Sequence, residues 1–247
     1  MKKILITGGP TNEFIDEVMK ITNMSTGSLS LALAKLFYED QWKVTLVINR
    51  GVSCKELPHG DRMNIVPVET TEEMLDAICE ESNKDHYDVL IHAAAVGDYK
   101  ADFSFLMEDM AKEIYHRMDS FKTAEDILAL MRNPACKLND DSKISSYQEN
   151  LTVKLTMTPK IIARLRGWFP DALIFGCKLL ENVPQQELFD VAQKLAQKND
   201  ADYIFANDLA QLRKGDPARY PVSRDGYTGE KLDSPKDIFK FVTDKLA

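Results

Sequence analysis

The feature that most constrains this chain is an alternation that runs nearly its whole length. Short β-branched apolar runs are separated by segments with helical periodicity. KILIT (3–7), KVTLVI (43–48), NIVPV (64–68), DVLIHAAA (88–95), LTVKL (151–155), ALIFGC (172–177) and DYIFAN (202–207) read as strands. Several are apolar at every position, so both faces must be covered, which suits a parallel sheet with helices on each side. Helix starts lie between them. Thr70 and Glu73 form a capping box before MLDAI, and Thr158 with Pro159 caps and opens KIIARLRGWF. Pro184 opens QQELFDVAQKLAQKN, and Ser234, Pro235 and Asp237 begin the last helix. The expected fold is α/β: a Rossmann-like, three-layer, doubly wound and mostly parallel sheet with a C-terminal hairpin extension.

Two stretches interrupt the alternation. Residues 99–150 are charged, loosely helical and end in the polar run LNDDSKISSYQEN, so they are expected to act as a lid or flexible segment. Residues 211–233 contain YPVSRDGYTGEKL, read as a hairpin with Asp225–Gly226 at its turn. Residues 1–247 are taken together as one domain.

Composition narrows the function classes. A net charge of −8 argues against general nucleic-acid binding, although a local basic patch still accommodates a nucleotide. No apolar run reaches the roughly 20 residues of a membrane span, and a first strand at Lys3 leaves no room for a signal peptide ahead of it. The four cysteines are scattered without CxxC spacing, pointing to neither zinc nor a disulfide framework. A reduced, cytoplasmic setting is expected.

The first strand runs into Gly8 and Gly9, at the sheet edge where open α/β folds bind ligands. A second polar cluster, ITNMSTGSLS (21–30), leads into the helix SLALAKLFYE. There Ser25, Thr26 and Gly27 meet the positive end of a helix dipole, and Asn23 offers both a donor and an acceptor. Each loop alone reads equally as a plain turn or an N-cap; together they bracket one strand end. The dinucleotide fingerprint is missing its later glycines, since none follows Gly9 until Gly27. The second strand ends in Asn49–Arg50 without an acidic ribose partner, although Arg50 suits a 2′-phosphate and keeps NADP open. The one Tyr-x-x-x-Lys pair, Tyr227 and Lys231, sits in the hairpin, where it cannot share a helix face.

The segment ITGGPTNEFIDEVMKITNMSTGSL resembles the opening of the phosphopantothenate–cysteine ligase family, also called phosphopantothenoylcysteine synthetase, especially its stand-alone form. Three further stretches match in order: AAAVGDY (93–99), KISS followed by LTVKLTMTPKII (143–162), and FGCKLLEN with KNDADYIFANDL (175–182, 198–209). This resemblance implies ATP- or CTP-dependent ligation of 4′-phosphopantothenate with L-cysteine in coenzyme A biosynthesis, through an acyl-nucleotide. Mg²⁺ would accompany the triphosphate, and a homodimer would form through residues 211–233.

By the same resemblance Asn23 would bind the acyl-nucleotide near the reacting carbonyl, and Gly9, Ser25 and Gly27 would line the phosphate region. Ala94, Ala95 and Asp98 would hold the nucleotide, and Lys143 would come down onto the phosphates. Thr158, Pro159, Lys160 and Ile161 would form part of the base and phosphate pocket, and Lys194 and Lys198 would reach the triphosphate. Asn207 and Asp208 are either structural or, for Asp208, an aid in ordering Mg²⁺. Three positions depart from the family pattern: Met19 replaces a usual arginine, Ser30 a common glycine, and Cys177 a frequent aromatic. Two other readings stay open: a diverged nucleotide-binding subunit with impaired catalysis, and an NADP-dependent reductase or epimerase.

Overall fold

The computed structural model describes residues 1–138 and 143–246, so positions 139–142 of the polar run lie outside the described residues. The chain forms two compact units. Unit 1 comprises Met1–Thr11, Asn23–Val96 and Pro159–Ala247; unit 2 comprises Asn12–Thr22 and Gly97–Thr158. The sequence alone placed 1–247 in one domain, with 99–150 as a lid.

Numbering elements in chain order, unit 1 contains strands β1 (Lys3–Gly8), β4 (Lys43–Asn49), β5 (Met63–Val68), β6 (Val89–His92), β9 (Leu173–Leu180), β10 (Tyr203–Asp208), β11 (Tyr220–Ser223) and β12 (Gly226–Tyr227). Among the described residues they form one sheet of order β5-β4-β1-β6-β9-β10-β11-β12. Pairing is parallel from β5 to β10, and β11 and β12 add antiparallel at the far edge. The C-terminal hairpin is therefore an extension of the chain's own sheet. Its two-residue loop is Arg224–Asp225, because Gly226 already pairs with Ser223. The turn thus lies one residue earlier than Asp225–Gly226.

Alternation along each strand divides the apolar residues between two faces. Ile4, Ile6, Val89, Ile91, Phe175 and Phe205 face one side, under helices α1 (Ser28–Glu39) and α8 (Pro235–Asp244). Leu5, Leu90, Ile174 and Ile204 face the other, under α2 (Thr71–Lys84), α5 (Ile162–Trp168) and α6 (Gln185–Asn199). The helices present matching stripes: Ser30, Leu33, Ala34 and Phe37 on α1, and Ile238, Phe241 and Val242 on α8. These are the three layers expected from the sequence. A short helix α7 (Leu209–Arg213) follows β10.

Capping follows the sequence only in part. Thr70 accepts the Glu73 N–H at 3.1 Å, but the Glu73 carboxylate turns to the Glu69 N–H and to Arg50, so the box is not reciprocal. Ser234 caps α8 as expected. Thr158 caps nothing: α5 begins after Ile161, and the Thr158 hydroxyl donates to the Gly97 carbonyl.

Unit 2 pairs β2 (Asn12–Phe14) with β3 (Lys20–Thr22) and, separately, β7 (Tyr99–Leu106) with β8 (Leu151–Met157). Helices α3 (Met107–His116) and α4 (Ala124–Arg132) lie between β7 and β8 in sequence. LTVKL is thus a strand, but of a separate antiparallel pair rather than of the parallel sheet. Its apolar cluster is Phe103, Phe105, Met110 and Leu130. Among the described residues no helix is long and apolar enough to cross a membrane.

Candidate nucleotide site

Strand β1 is flanked by β4 on one side and β6 on the other, so the chain leaves it in both directions. The carboxyl ends of β1 and β6 therefore form a topological switch point, where open α/β sheets hold ligands. Gly8 ends β1 there. Gly9 has φ 74° and Gly27 φ 71°, a left-handed conformation that a side chain resists. A Cβ on Gly27 would lie 3.3 Å from the Gly9 nitrogen and 3.1 Å from Val52 Cγ1, so the two glycine loops touch. The pairing of GGPT with TNMSTG, read from the sequence, is present.

Gly27 is also the N-cap of α1, and as a glycine it offers no side-chain cap. Ser25 Oγ accepts from the Gly27 N–H and Thr26 Oγ from the Ser28 N–H, the first of the helix, both at 3.4 Å. The Thr26 hydroxyl thus reaches the first N–H of the helix at long range, and the N-cap position itself carries no side chain. That arrangement suits an anion.

The third wall is the segment after β6. The Ala95 N–H donates to the Gly9 carbonyl at 2.9 Å, and the Thr11 N–H returns to the Ala95 carbonyl at 3.3 Å. Asn23 Nδ2 donates to the Val96 carbonyl at 2.9 Å and the Ala95 carbonyl at 3.4 Å. Gly9, Asn23, Gly27, Ala94 and Ala95 are thus brought together. In this arrangement the Asn23 amide braces the 95–96 backbone.

Two residues of this site were not singled out in the sequence. Ala94 N–H donates to Thr7 Oγ1 at 3.2 Å, and the Thr7 hydroxyl shares a hydrogen bond with His92 Nδ1 at 2.8 Å. Burial pushes the His92 imidazole down to about 4, so it is neutral at pH 7, with one ring nitrogen able to donate and the other to accept. The signal was a threonine and a histidine ending otherwise apolar strands.

Other expected residues fall elsewhere. Pro159, Lys160 and Ile161 precede α5, but Ile161 is buried in the apolar core and does not line a ligand surface. Lys194 and Lys198 lie nine and thirteen residues into α6. The helix returns from the carboxyl to the amino edge of the sheet, so they stand roughly 14–20 Å along it from its start, away from the switch point. Their i,i+4 spacing fits a solvated helix face. Asp208 Oδ1 accepts the Ala210 and Gln211 N–H groups and Oδ2 the Val183 N–H. Burial tends to raise its carboxyl, and these donors outweigh that and hold it below its ordinary value. Asp208 is therefore a cap of α7 and not an available metal ligand. Among the described residues no cluster of three His, Cys, Asp or Glu side chains is placed to hold a metal ion.

Arg50 pairs with Glu69 at 3.2 Å and Glu73 at 2.5 Å, which removes the argument for a 2′-phosphate. Tyr227 stacks on Phe189 with centroids 4.2 Å apart, and Lys231 pairs with Asp216 and Asp233. Neither residue is helical, so no dehydrogenase dyad exists. Burial pushes the Cys177 thiol up to about 11, leaving it inert.

Unit 2 holds Asp98, Lys143 and Thr158. Asp98 is exposed, and its carbonyl accepts the Thr158 N–H at 3.1 Å. Lys143 is exposed beside the buried Ile144.

A Rossmann-like unit with paired glycine loops at its switch point belongs to the α/β folds whose ligands commonly bind at that sheet edge. Comparison makes this specific: residues 1–137, more than half of the chain, match the DNA/pantothenate metabolism flavoprotein C-terminal domain, and the chain belongs to that family. The coenzyme A biosynthesis bifunctional protein CoaBC of Thermococcus kodakarensis is 30% identical over 91% of this chain and 45% of its own. The Vibrio vulnificus CoaBC is 43% identical over 87% and 43%. The chain thus spans about half the length of the relatives it matches. The crystal structure of the DNA/pantothenate metabolism flavoprotein from Streptococcus pneumoniae superposes with a TM-score of 0.79 at 29% identity, covering 100% of this chain and 98% of that one. A Cab2 mutant H337A complex with phosphopantothenate-cysteine shares the fold, with a TM-score of 0.63 at 15% identity.

Proposed function

We propose that this chain ligates 4′-phosphopantothenate to L-cysteine, using a nucleoside triphosphate and an acyl-nucleotide intermediate. The substrate carboxylate would attack the α-phosphorus and release pyrophosphate. The cysteine amine would then attack the acyl carbon, forming the amide and releasing the nucleoside monophosphate. The observation that carries this reading is the switch-point cradle, where Gly9, Gly27 and the 94–96 backbone converge on a helix start whose N-cap is glycine. The relatives' names support a place in coenzyme A biosynthesis, and the substrates follow from the family resemblance.

The residue types suit the two half-reactions. Backbone N–H groups at a helix start stabilise phosphate charge without reorganising, and a preorganised donor at a developing oxyanion contributes about 2.7–4 kcal/mol in comparable sites. Asn23, Ser25 and Ala94 are assigned to that cradle, and Asp98, Thr158 and Lys160 to the nucleotide by family likeness. Lys143 is assigned to the phosphates on the same ground. Mg²⁺ would be carried by the triphosphate itself. The reading includes ATP or CTP as co-substrate, a cytoplasmic setting and a homodimer, for which β12 at the sheet edge of the 211–233 hairpin is one pairing surface.

The test is pyrophosphate release from purified protein with Mg²⁺, cysteine and either CTP or ATP. Release is expected only when phosphopantothenate is present; none with any nucleotide would reject the ligase. A diverged binding subunit is favoured by Met19 in place of arginine. It predicts calorimetric nucleotide binding without turnover, and a gain of activity in Met19→Arg.

A further inference from the structure

We infer that Asp16 is the positioning residue for Lys143: one carboxylate oxygen closes the β2–β3 turn and the other holds the backbone of the lysine's neighbour. This rests on the reading of Lys143 as the phosphate-side lysine of the ligase.

The turn between β2 and β3 is exposed, with Val18 63% and Met19 38% accessible, yet Asp16 within it is only 5% accessible. A buried carboxylate is tolerated only when donors replace water. Asp16 Oδ1 accepts the Val18 N–H at 2.7 Å and the Met19 N–H at 2.6 Å, which closes the turn locally. One oxygen satisfies that turn. Asp16 Oδ2 accepts the Ile144 N–H at 2.9 Å from 128 residues along the chain. The Met19, Ile144 and Val18 amides, with the charge of Lys143, hold the carboxyl below its ordinary value despite burial.

Ile144 is 7% accessible, while Lys143 and residues 145–150 are exposed. The segment therefore has one buried side chain and one charge-assisted backbone bond beside the lysine. Charge-assisted bonds are short and directional, so this bond sets where the residue 143 backbone sits. Met19, which replaces the family's usual arginine, contributes its backbone N–H to the same carboxylate. The turn can therefore close whatever side chain occupies position 19.

The test is Asp16→Asn in the full chain. Its amide oxygen still accepts from Val18 and Met19, while its NH₂ opposes the Ile144 N–H, donor against donor. Hydrogen exchange of peptides covering 143–150 is expected to rise while unit 1 peptides stay unchanged. The kcat of pyrophosphate release is expected to fall ~10-fold or more, with the nucleotide KM altered less than ~3-fold, as for a misplaced catalytic group. Asp16→Asn/Lys143→Ala should be no slower than Lys143→Ala alone, because both remove one function. Ile144→Pro, which deletes the donor from the other side, should reproduce the exchange change if Asp16→Asn folds poorly. Unchanged exchange at 143–150, or losses that multiply in the double variant, overturns the inference. If the wild type releases no pyrophosphate with any nucleotide, the ligase reading fails and the positioning role in catalysis fails with it. The exchange result still decides whether the clasp exists.

Discussion

The two units solve the same folding problem with different means. Unit 1 buries a sheet between two helical layers, with fully enclosed side chains such as Phe37, Phe175 and Phe205. Unit 2 has one cluster of four buried apolar residues, all between 4% and 9% accessible. It also leaves Phe14, Val18, Tyr99, Tyr115, Tyr147 and Met157 exposed. A small unit cannot enclose much of its apolar surface, so polar clasps must carry more of its order. Unit 1 carries the paired glycine loops on its enclosed sheet.

The largest expected effect tests that contrast directly. Phe175 stacks between Tyr203 and Phe205, both with centroids at 5.4 Å. Phe175→Ala should cost about 3–5 kcal/mol in global unfolding by urea, because these two contacts, the edge contact with Phe241 and a large buried volume are lost together. Phe105→Ala in unit 2 should cost roughly half of that or less, since its smaller cluster can collapse around the gap. Hydrogen exchange should show the Phe105 variant opening unit 2 alone. Unit 2 amides that exchange only through global unfolding would break the comparison.

Packing at the cradle gives the next effect. A Cβ on Gly8 would lie 1.9 Å from Ser30 Oγ and 2.4 Å from Ser30 Cβ. Gly8→Ala should therefore destabilise by about 1–3 kcal/mol, the usual range for overpacking. Ser30→Gly alone should cost under about 1 kcal/mol as a helix glycine. Adding it to Gly8→Ala should recover much of the loss, and strictly additive melting shifts would contradict the direct contact. Ser30 thus fits its site by relying on Gly8.

How much of this was legible follows from where the information sits. The sheet of unit 1 was readable because its strands are apolar at consecutive positions, and the paired glycine loops because they lie close in sequence. Unit 2 was not. Its β2 and β3 are three residues each, and β7 carries an irregularity between Ala101 and Phe103 that breaks alternation. The reciprocal capping box of Thr123 and Asp126 starts α4 in a stretch that read as loosely helical. Lys194 and Lys198 stand well along α6 from its start, and local spacing does not say which way a helix runs past a sheet. The Asp16 clasp joins residues 128 positions apart, which no local pattern records.

The smallest effect separates the two kinds of clasp. In unit 1, Asp85 joins the lysines of two strands, Lys3 and Lys43, the latter at 3.0 Å. The Lys3 ammonium, then that of Lys43 against a burial penalty, draws its carboxyl from 3.8 down to about 2. A folded-state value below the unfolded one adds stability that is complete above about pH 4 and is lost as pH falls through about 2. Asp85→Asn should therefore lower stability by about 1 kcal/mol at pH 7, after allowing for its partly exposed partners, and should converge on wild type near pH 2. Molar salt should shrink the pH 7 difference, because it screens ammonium–carboxylate attraction. The Asp16 clasp is made to backbone amides, so the exchange difference of Asp16→Asn at 143–150 should persist in the same salt. If both respond alike, the two units are held by one kind of interaction, and the contrast between them reduces to core size.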